Sequence, residues 1–130
     1  YEMINGYAVL SINKNTNVEI SFDLKVKLIR CSNLVRANIG KVAVARGPVV
    51  YCAESIDNCE NLQLLKINPN GDFVFNENGT IIADGFVEQP DESLYDEYKP
   101  VPLKKCKITL IPYNSWGNRG ETEMSVYLRV

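Results

Sequence analysis

Between Val18 and Leu28 every second residue is apolar. Val18, Ile20, Phe22, Leu24, Val26 and Leu28 alternate with Glu19, Ser21, Asp23, Lys25 and Lys27. Successive side chains of an extended chain point to opposite faces, so this run turns one face to a core and the other to water. At ~3.3 Å per residue it would be about 35 Å long, which exceeds most strands and predicts a bend or bulge inside it.

Further strands are expected along the chain. Tyr7 to Ile12 precedes the long run. Lys41 to Arg46 and Val49 to Glu54 flank a Gly47-Pro48 break, where a proline without an N–H to donate predicts a sheet edge, bend or bulge. Phe73 to Phe75 and Ile81 to Val87 are shorter or less regular. Cys106, Ile108 and Leu110 alternate with lysine and threonine, and Met124, Val126, Leu128 and Val130 alternate with Ser125, Tyr127 and Arg129. Turn chemistry fills the gaps at Asn5-Gly6, Asn38-Ile39-Gly40, Asn70-Gly71, Asn78-Gly79 and Asp84-Gly85, residues that tolerate the positive φ of tight turns. Only Ser55 to Leu65 has room for a helical turn or two. Many short strands with regular turn signals predict an all-β fold, a single antiparallel β-sandwich, with a jelly roll as the candidate topology.

A chain of 130 residues is one domain by length, here 1–130, and can bury a self-sufficient core. A net charge of −2 gives no electrostatic footprint for nucleic acid. The longest apolar runs span only a few residues, so no membrane helix is expected. Tyr1 to Ile4 leads directly into a turn and a strand without a basic-then-apolar leader. That abrupt start reads as a piece of a longer protein, which makes missing signals uninformative about its compartment.

The chain has no histidine, which excludes Ser-His-Asp and Cys-His catalysis within it. No glycine-rich phosphate loop follows a strand and opens a helix. Cys31, Cys52, Cys59 and Cys106 form no CxxC pair and match no common zinc spacing, so no metal site is assigned. Scattered on apolar strands, they read as buried free thiols acting as small hydrophobes, although four cysteines would also allow two disulfides. Glycoside hydrolysis usually needs two carboxylates facing each other across a cleft. Glu54, Asp57, Glu60, Asp84 and Glu88 are candidates by type, but no spacing pairs them, and each reads as a solvated or turn carboxylate. The proline-bounded acidic stretch from Glu88 to Pro100 reads as a long exposed loop. Its Asp91, Glu92, Asp96 and Glu97 could bind calcium only with backbone carbonyls placed by a defined loop, a pattern not visible here. No catalytic residue and no cofactor are assigned to this chain.

The segment least like strand or turn filler is Ile111-Pro112-Tyr113-Asn114-Ser115-Trp116-Gly117-Asn118-Arg119-Gly120. It holds the single tryptophan between two strand-like runs. Tyr113 and Trp116 could stack on sugar rings while Asn114, Asn118 and Arg119 bond hydroxyls. The structural alternative is a packed connection, with Trp116 anchoring the turn and Arg119 tying it to backbone carbonyls or to a neighbouring domain. Arg46 and Glu54 are charges bordering an otherwise buried strand, and each is expected to pair with a carbonyl or an opposite charge; the alternative for Arg46 is to reach across a domain or subunit interface.

Three segments together resemble one family: INGYAVL at residues 4–10, VRANIGKVAVARGPVVYCAESIDN at 35–58 and IPYNSWGNRGETEMSVYL at 111–128. Their order, spacing and wording resemble the C-terminal region of glycoside hydrolase family 127, the β-L-arabinofuranosidase-like enzymes, formerly a domain of unknown function. The resemblance implies a parent several times longer, with an N-terminal catalytic (α/α)6 barrel followed by β-sandwich domains. It also implies a cysteine nucleophile, a glutamate acid/base and a zinc held by cysteines and a glutamate, all within the missing barrel. None of those motifs occurs here, so none is carried onto these residues. Cys52 matches the cysteine of the family's RGPLVYC-like strand, which the resemblance places in the sandwich. The sequence departs from the family wording at Asn114, Ser115 and Gly117, and in the turn Asn13-Lys14-Asn15-Thr16-Asn17.

Three readings follow. The leading one is a non-catalytic accessory domain that braces the missing catalytic barrel, mediates homodimer contacts, or both. The second is a carbohydrate-binding module whose Tyr113/Trp116 loop takes an arabinose-containing glycan. The third is a purely oligomeric domain whose apolar patch pairs with itself.

Overall fold

The computed structural model describes residues 1–89 and 93–130. Two positions of the acidic loop singled out above, Asp91 and Glu92, lie outside the described residues. The described elements are strands and short 3-10 turns. No helix among them is long and apolar enough to cross a membrane.

The expected β-sandwich, and with it the jelly roll, is not what forms. The main sheet instead closes on itself as a six-stranded barrel with extra strands attached. Its strands are β3 (Val26–Arg30), β4 (Lys41–Arg46), β5 (Val49–Glu54), β6 (Leu65–Ile67), β7 (Phe73–Phe75), β8 (Ile81–Glu88), β9 (Leu103–Pro112), β10 (Met124–Ser125) and β11 (Tyr127–Arg129). The closed ring runs β5-β9-β8-β6-β11-β4 and returns to β5, while β10, β3 and β7 hang on β5, β4 and β8. Two strands that precede it, β1 (Glu2–Ile4) and β2 (Tyr7–Val9), make a separate antiparallel hairpin.

Closure depends on the last few residues. The run from Met124 to Val130 divides at Val126. Its first part pairs with β5 and its second with β4, antiparallel, and with β6, parallel. The parallel seam rests on one register pair, Arg129 opposite Lys66. An ion network reinforces it: Arg129 donates two parallel hydrogen bonds to Glu88 (2.7 and 2.8 Å), and Lys66 reaches the same carboxylate at 2.9 Å. Paired, fork-shaped bonds of this kind fix geometry as well as contributing energy. A barrel and a sandwich both demand inward-outward alternation, so the pattern of single strands could not tell them apart.

The turn chemistry is mostly realised. Asn5 and Gly6 both have positive φ (50° and 85°), as a two-residue hairpin turn requires. Gly47-Pro48 is likewise a hairpin turn between β4 and β5, closed by Arg46 opposite Val49, with Gly47 at φ 58°. Asp84-Gly85 is an exception. It lies inside β8, and its glycine serves close strand approach. A Cβ there would meet Ile108 Cδ1 at 2.4 Å and the Lys66 carbonyl oxygen at 2.6 Å.

The long run from Val18 is shorter than expected as a strand, since only Val26–Arg30 joins the sheet. The register explains this. Val26 lies opposite Arg46, and β4 turns away immediately after Arg46, so residues before Val26 have no strand of this barrel beside them. Leu24 still packs over Gly47, within 3.0 Å of where a Cβ would be.

The core lies inside the ring. Val44, Tyr51, Ala53, Leu65, Ile67, Ile81, Ala83, Ile108, Leu110 and Leu128 fill it, and Leu62 joins from the 3-10 turn Leu62–Leu64. Each fully buried Leu or Ile stabilises the fold by about 1.5–3 kcal/mol relative to exposure. The Ser55–Leu65 stretch holds two 3-10 turns and no α-helix. Their short span leaves backbone groups to be met from outside: Asn61 caps the Gln63 N–H (3.0 Å), and Glu123 accepts from the Leu62 N–H (3.2 Å).

Candidate functional site

The loop singled out in the sequence follows β9. Pro112 ends the strand, Tyr113–Ser115 form a 3-10 turn, and Gly117 and Gly120 take positive φ (74° and 130°). Only glycine adopts such angles freely, so these two positions let the chain reverse within a few residues.

The loop is tied down by an acid that the sequence left among the solvated carboxylates. Glu54 ends β5 and is 1% exposed. One of its oxygens accepts the Gly117 N–H at 2.7 Å, and the other accepts from Arg119 Nη2. Arg119 also forks onto Asp57, with Nη1 donating to Oδ1 at 2.8 Å and Nη2 to Oδ2. A buried carboxylate needs paired, hydrogen-bonded partners, and the loop supplies them. The two acids raise the Arg119 pKa further above its ordinary value, with Asp57 the larger influence. Nearby, Asn58 donates to the Glu54 and Thr109 carbonyls (2.8 and 3.0 Å) and accepts the Thr109 N–H (2.9 Å). These bonds lock the Ser55–Asp57 turn to β9.

Arg119 therefore ties the loop to two carboxylates of its own domain. Glu54 pairs with an opposite charge, as expected of a charge bordering a buried strand, but sequence reasoning missed Arg119 as its partner and as the partner of Asp57, because both acids lie more than sixty positions from Arg119. The one available signal was a charge closing an apolar strand. Tyr113 and Trp116 remain 47% and 42% exposed, and Asn114 and Asn118 are also exposed. Tyr113 and Asn114 border a surface depression of ≈ 320 Å³ with Pro48, Val49 and Val50; Trp116 is not part of its lining. Arg46 lies apart from this loop, with its guanidinium 3.8 Å from the centre of the Phe75 ring. This is cation–π range.

The other acids are held separately. Asp84 pairs with Lys107 (2.5 Å) and accepts the Asp72 N–H (3.1 Å). These contacts, the lysine's first, hold its carboxyl below the usual range. Glu88 belongs to the barrel seam, Glu60 is exposed, and Asp96 pairs with Lys99 at 2.8 Å. The four cysteines are free thiols. Cys52 is fully buried, and burial, reinforced by the Glu54 charge, pushes its pKa up to about 11. Cys31 donates to the Tyr127 hydroxyl at 2.8 Å. Among the described residues, no three His, Cys, Asp or Glu side chains converge as metal ligands. The donor set that the family resemblance implies for zinc therefore does not fit these residues.

Comparison with known proteins identifies the family. The model of the glycoside hydrolase family 127 C-terminal domain matches residues 26–129. A non-reducing end β-L-arabinofuranosidase from Bifidobacterium longum subsp. longum is 33% identical over 96% of this chain and 21% of its own length. A solved β-L-arabinofuranosidase of the same family from Geobacillus stearothermophilus T6 is 38% identical, with a TM-score of 0.66 over 83% of this chain and 18% of its own. A second solved family 127 β-arabinofuranosidase is 34% identical, with a TM-score of 0.70 over 84% of this chain and 18% of its own. The chain spans about a fifth of the length of these relatives. It belongs to glycoside hydrolase family 127, as that family's C-terminal domain.

Proposed function

We propose that this domain is a non-catalytic accessory part of a β-L-arabinofuranosidase-like enzyme, bracing the catalytic portion and contributing to subunit contacts. The observation that carries the reading is one of proportion. The chain aligns over 96% of its length with only 21% of a curated arabinofuranosidase, leaving about four-fifths of that enzyme outside it. The loop chemistry supports it. Glu54 and Asp57, the two acids that come together, are both engaged by one arginine, an arrangement suited to rigidity rather than to proton transfer. The purified 130-residue chain is expected to fold and to release no arabinose from β-L-arabinofuranosides. Turnover that tracks the purified protein and disappears on Glu54→Gln would overturn the proposal.

A second reading keeps one observation in its favour, the half-exposed rings of Tyr113 and Trp116. Aromatic faces beside polar side chains are suited to sugar stacking. Calorimetry with arabinan or arabinogalactan oligosaccharides decides it: heat at millimolar ligand that vanishes on Trp116→Ala supports binding, and no heat rejects it.

A further inference from the structure

None of the first 25 residues joins the barrel's strand ladders, although Leu24 packs over Gly47. The family's domain begins at Val26, where β3 begins. Strands β1 and β2 pair only with each other, and no ladder forms from Leu10 to Lys25. An isolated two-stranded hairpin is at best marginal in water.

Yet this segment carries the most regular apolar alternation in the chain. Ile20 and Phe22 are 69% and 74% exposed, and Val18 and Leu24 share their stripe. Tyr7, Leu10 and Ile12 add further exposed apolar surface. One-sided alternation is the pattern of a strand with one face on a core and the other in solvent. Here the apolar face meets solvent too, and contiguous patches of this kind usually mark an interaction surface. The Bifidobacterium relative matches 96% of the chain, so its similarity extends into this arm, outside the family's domain.

We propose that residues 1–25 are a docking arm that adds Val18 to Lys25 to the edge of a β-sheet in the N-terminal part of a protein the size of its relatives, the stripe from Val18 to Leu24 facing the core beneath that sheet. A sheet is the occupant the backbone demands. Once the stripe is covered, the N–H and C=O groups from Val18 to Lys25 need partners, apart from the Leu24 N–H already donated to the Phe22 carbonyl (3.0 Å). An extended segment finds them by adding itself to a sheet edge. The arm then joins two domains at a fixed angle. This rests on the reading that the chain is one domain of a longer enzyme.

Amide hydrogen exchange in the full-length protein and in the 130-residue chain tests it. Amides of residues 18–25 are expected to exchange at least 100-fold more slowly in the full-length protein. Phe22→Glu should remove that protection while barrel amides keep theirs. Equal exchange in the two unsubstituted proteins overturns the proposal, whether or not the Phe22→Glu protein folds. Protection already present in the 130-residue chain also overturns it. If it rises with concentration, a second copy covers the arm; if it does not, the barrel does. Turnover by the 130-residue chain would instead remove the accessory reading and leave the docking result standing.

Discussion

Gly85 offers a quantitative test of the barrel. It sits inside β8, between Asp84 and Phe86, with Cys106 of β9 on one side and Ile67 of β6 on the other. Gly85→Ala would place a Cβ 2.4 Å from Ile108 Cδ1 and 2.6 Å from the Lys66 carbonyl oxygen. The first contact is the end of a side chain, but Ile108 is fully buried and has little room to move. The second is backbone, held in the β6–β8 ladder. Overpacking of this kind costs about 1–3 kcal/mol. Gly85 has no positive φ, so alanine adopts its backbone and gains about 0.4–1 kcal/mol through the unfolded chain. The net loss is roughly 1–2 kcal/mol, or about 4–8 °C in Tm for a chain of this length. Ile108→Val removes the clashing Cδ1 and alone should cost about 0.5–1.5 kcal/mol. The double substitution should then be no less stable than Gly85→Ala, a favourable coupling of about 1 kcal/mol. Urea unfolding followed by circular dichroism measures all four proteins. A Gly85→Ala protein within about 0.5 kcal/mol of the parent, or strictly additive substitutions, would refute the close approach at this strand crossing.

Three further outcomes follow from the contacts described. Arg129 and then Lys66 hold the Glu88 carboxyl below its usual range. Its contribution is therefore fully present above the unfolded pKa and is lost as pH falls through the depressed folded value. Glu88→Gln should cost about 1–2 kcal/mol at pH 7, with Arg129 partly in water. The two stability curves should converge on acidification, and parallel curves from pH 7 to 3 would contradict this. Arg119→Ala releases Asp57 and one oxygen of Glu54, so the loop should loosen. Acrylamide should then quench Trp116, the single tryptophan, more efficiently while the barrel's circular dichroism is retained; unchanged quenching contradicts it. Cys52 combines full burial with a pKa of about 11, so at pH 8 a disulfide reagent should label it only on global unfolding. The partly buried Cys31, Cys59 and Cys106 should react first, and four equal rates would count against that burial.

Local periodicity was enough to place most strands. Lys41–Arg46, Val49–Glu54 and Phe73–Phe75 form over the spans their short apolar runs predict, because apolar runs and adjacent turn residues are local properties. The same logic failed where a distant partner decides. Val18 to Lys25 has the pattern of a strand but no neighbouring edge within the barrel. Asp84-Gly85 has the composition of a turn, yet its glycine is required by Ile108 and Lys66 across two strand pairings. The site shows a similar split. Trp116 and Arg119 stood out by type and Glu54 as a charge bordering an apolar strand, whereas only the fold showed that Glu54 pairs with Gly117 and Arg119.

The sequence by itself determined the all-β class, most of the turns and the family, because each is carried by residues near one another in the chain. The tertiary structure decided that the sheet closes. Closure depends on the break at Val126, which sends Met124–Ser125 to β5 and Tyr127–Arg129 to β4 and β6. Alternation records which face of a strand is apolar but not which strand lies beside it. Choosing between a barrel and a sandwich is a question of pairing, and the pairing is fixed by contacts between residues far apart in the chain.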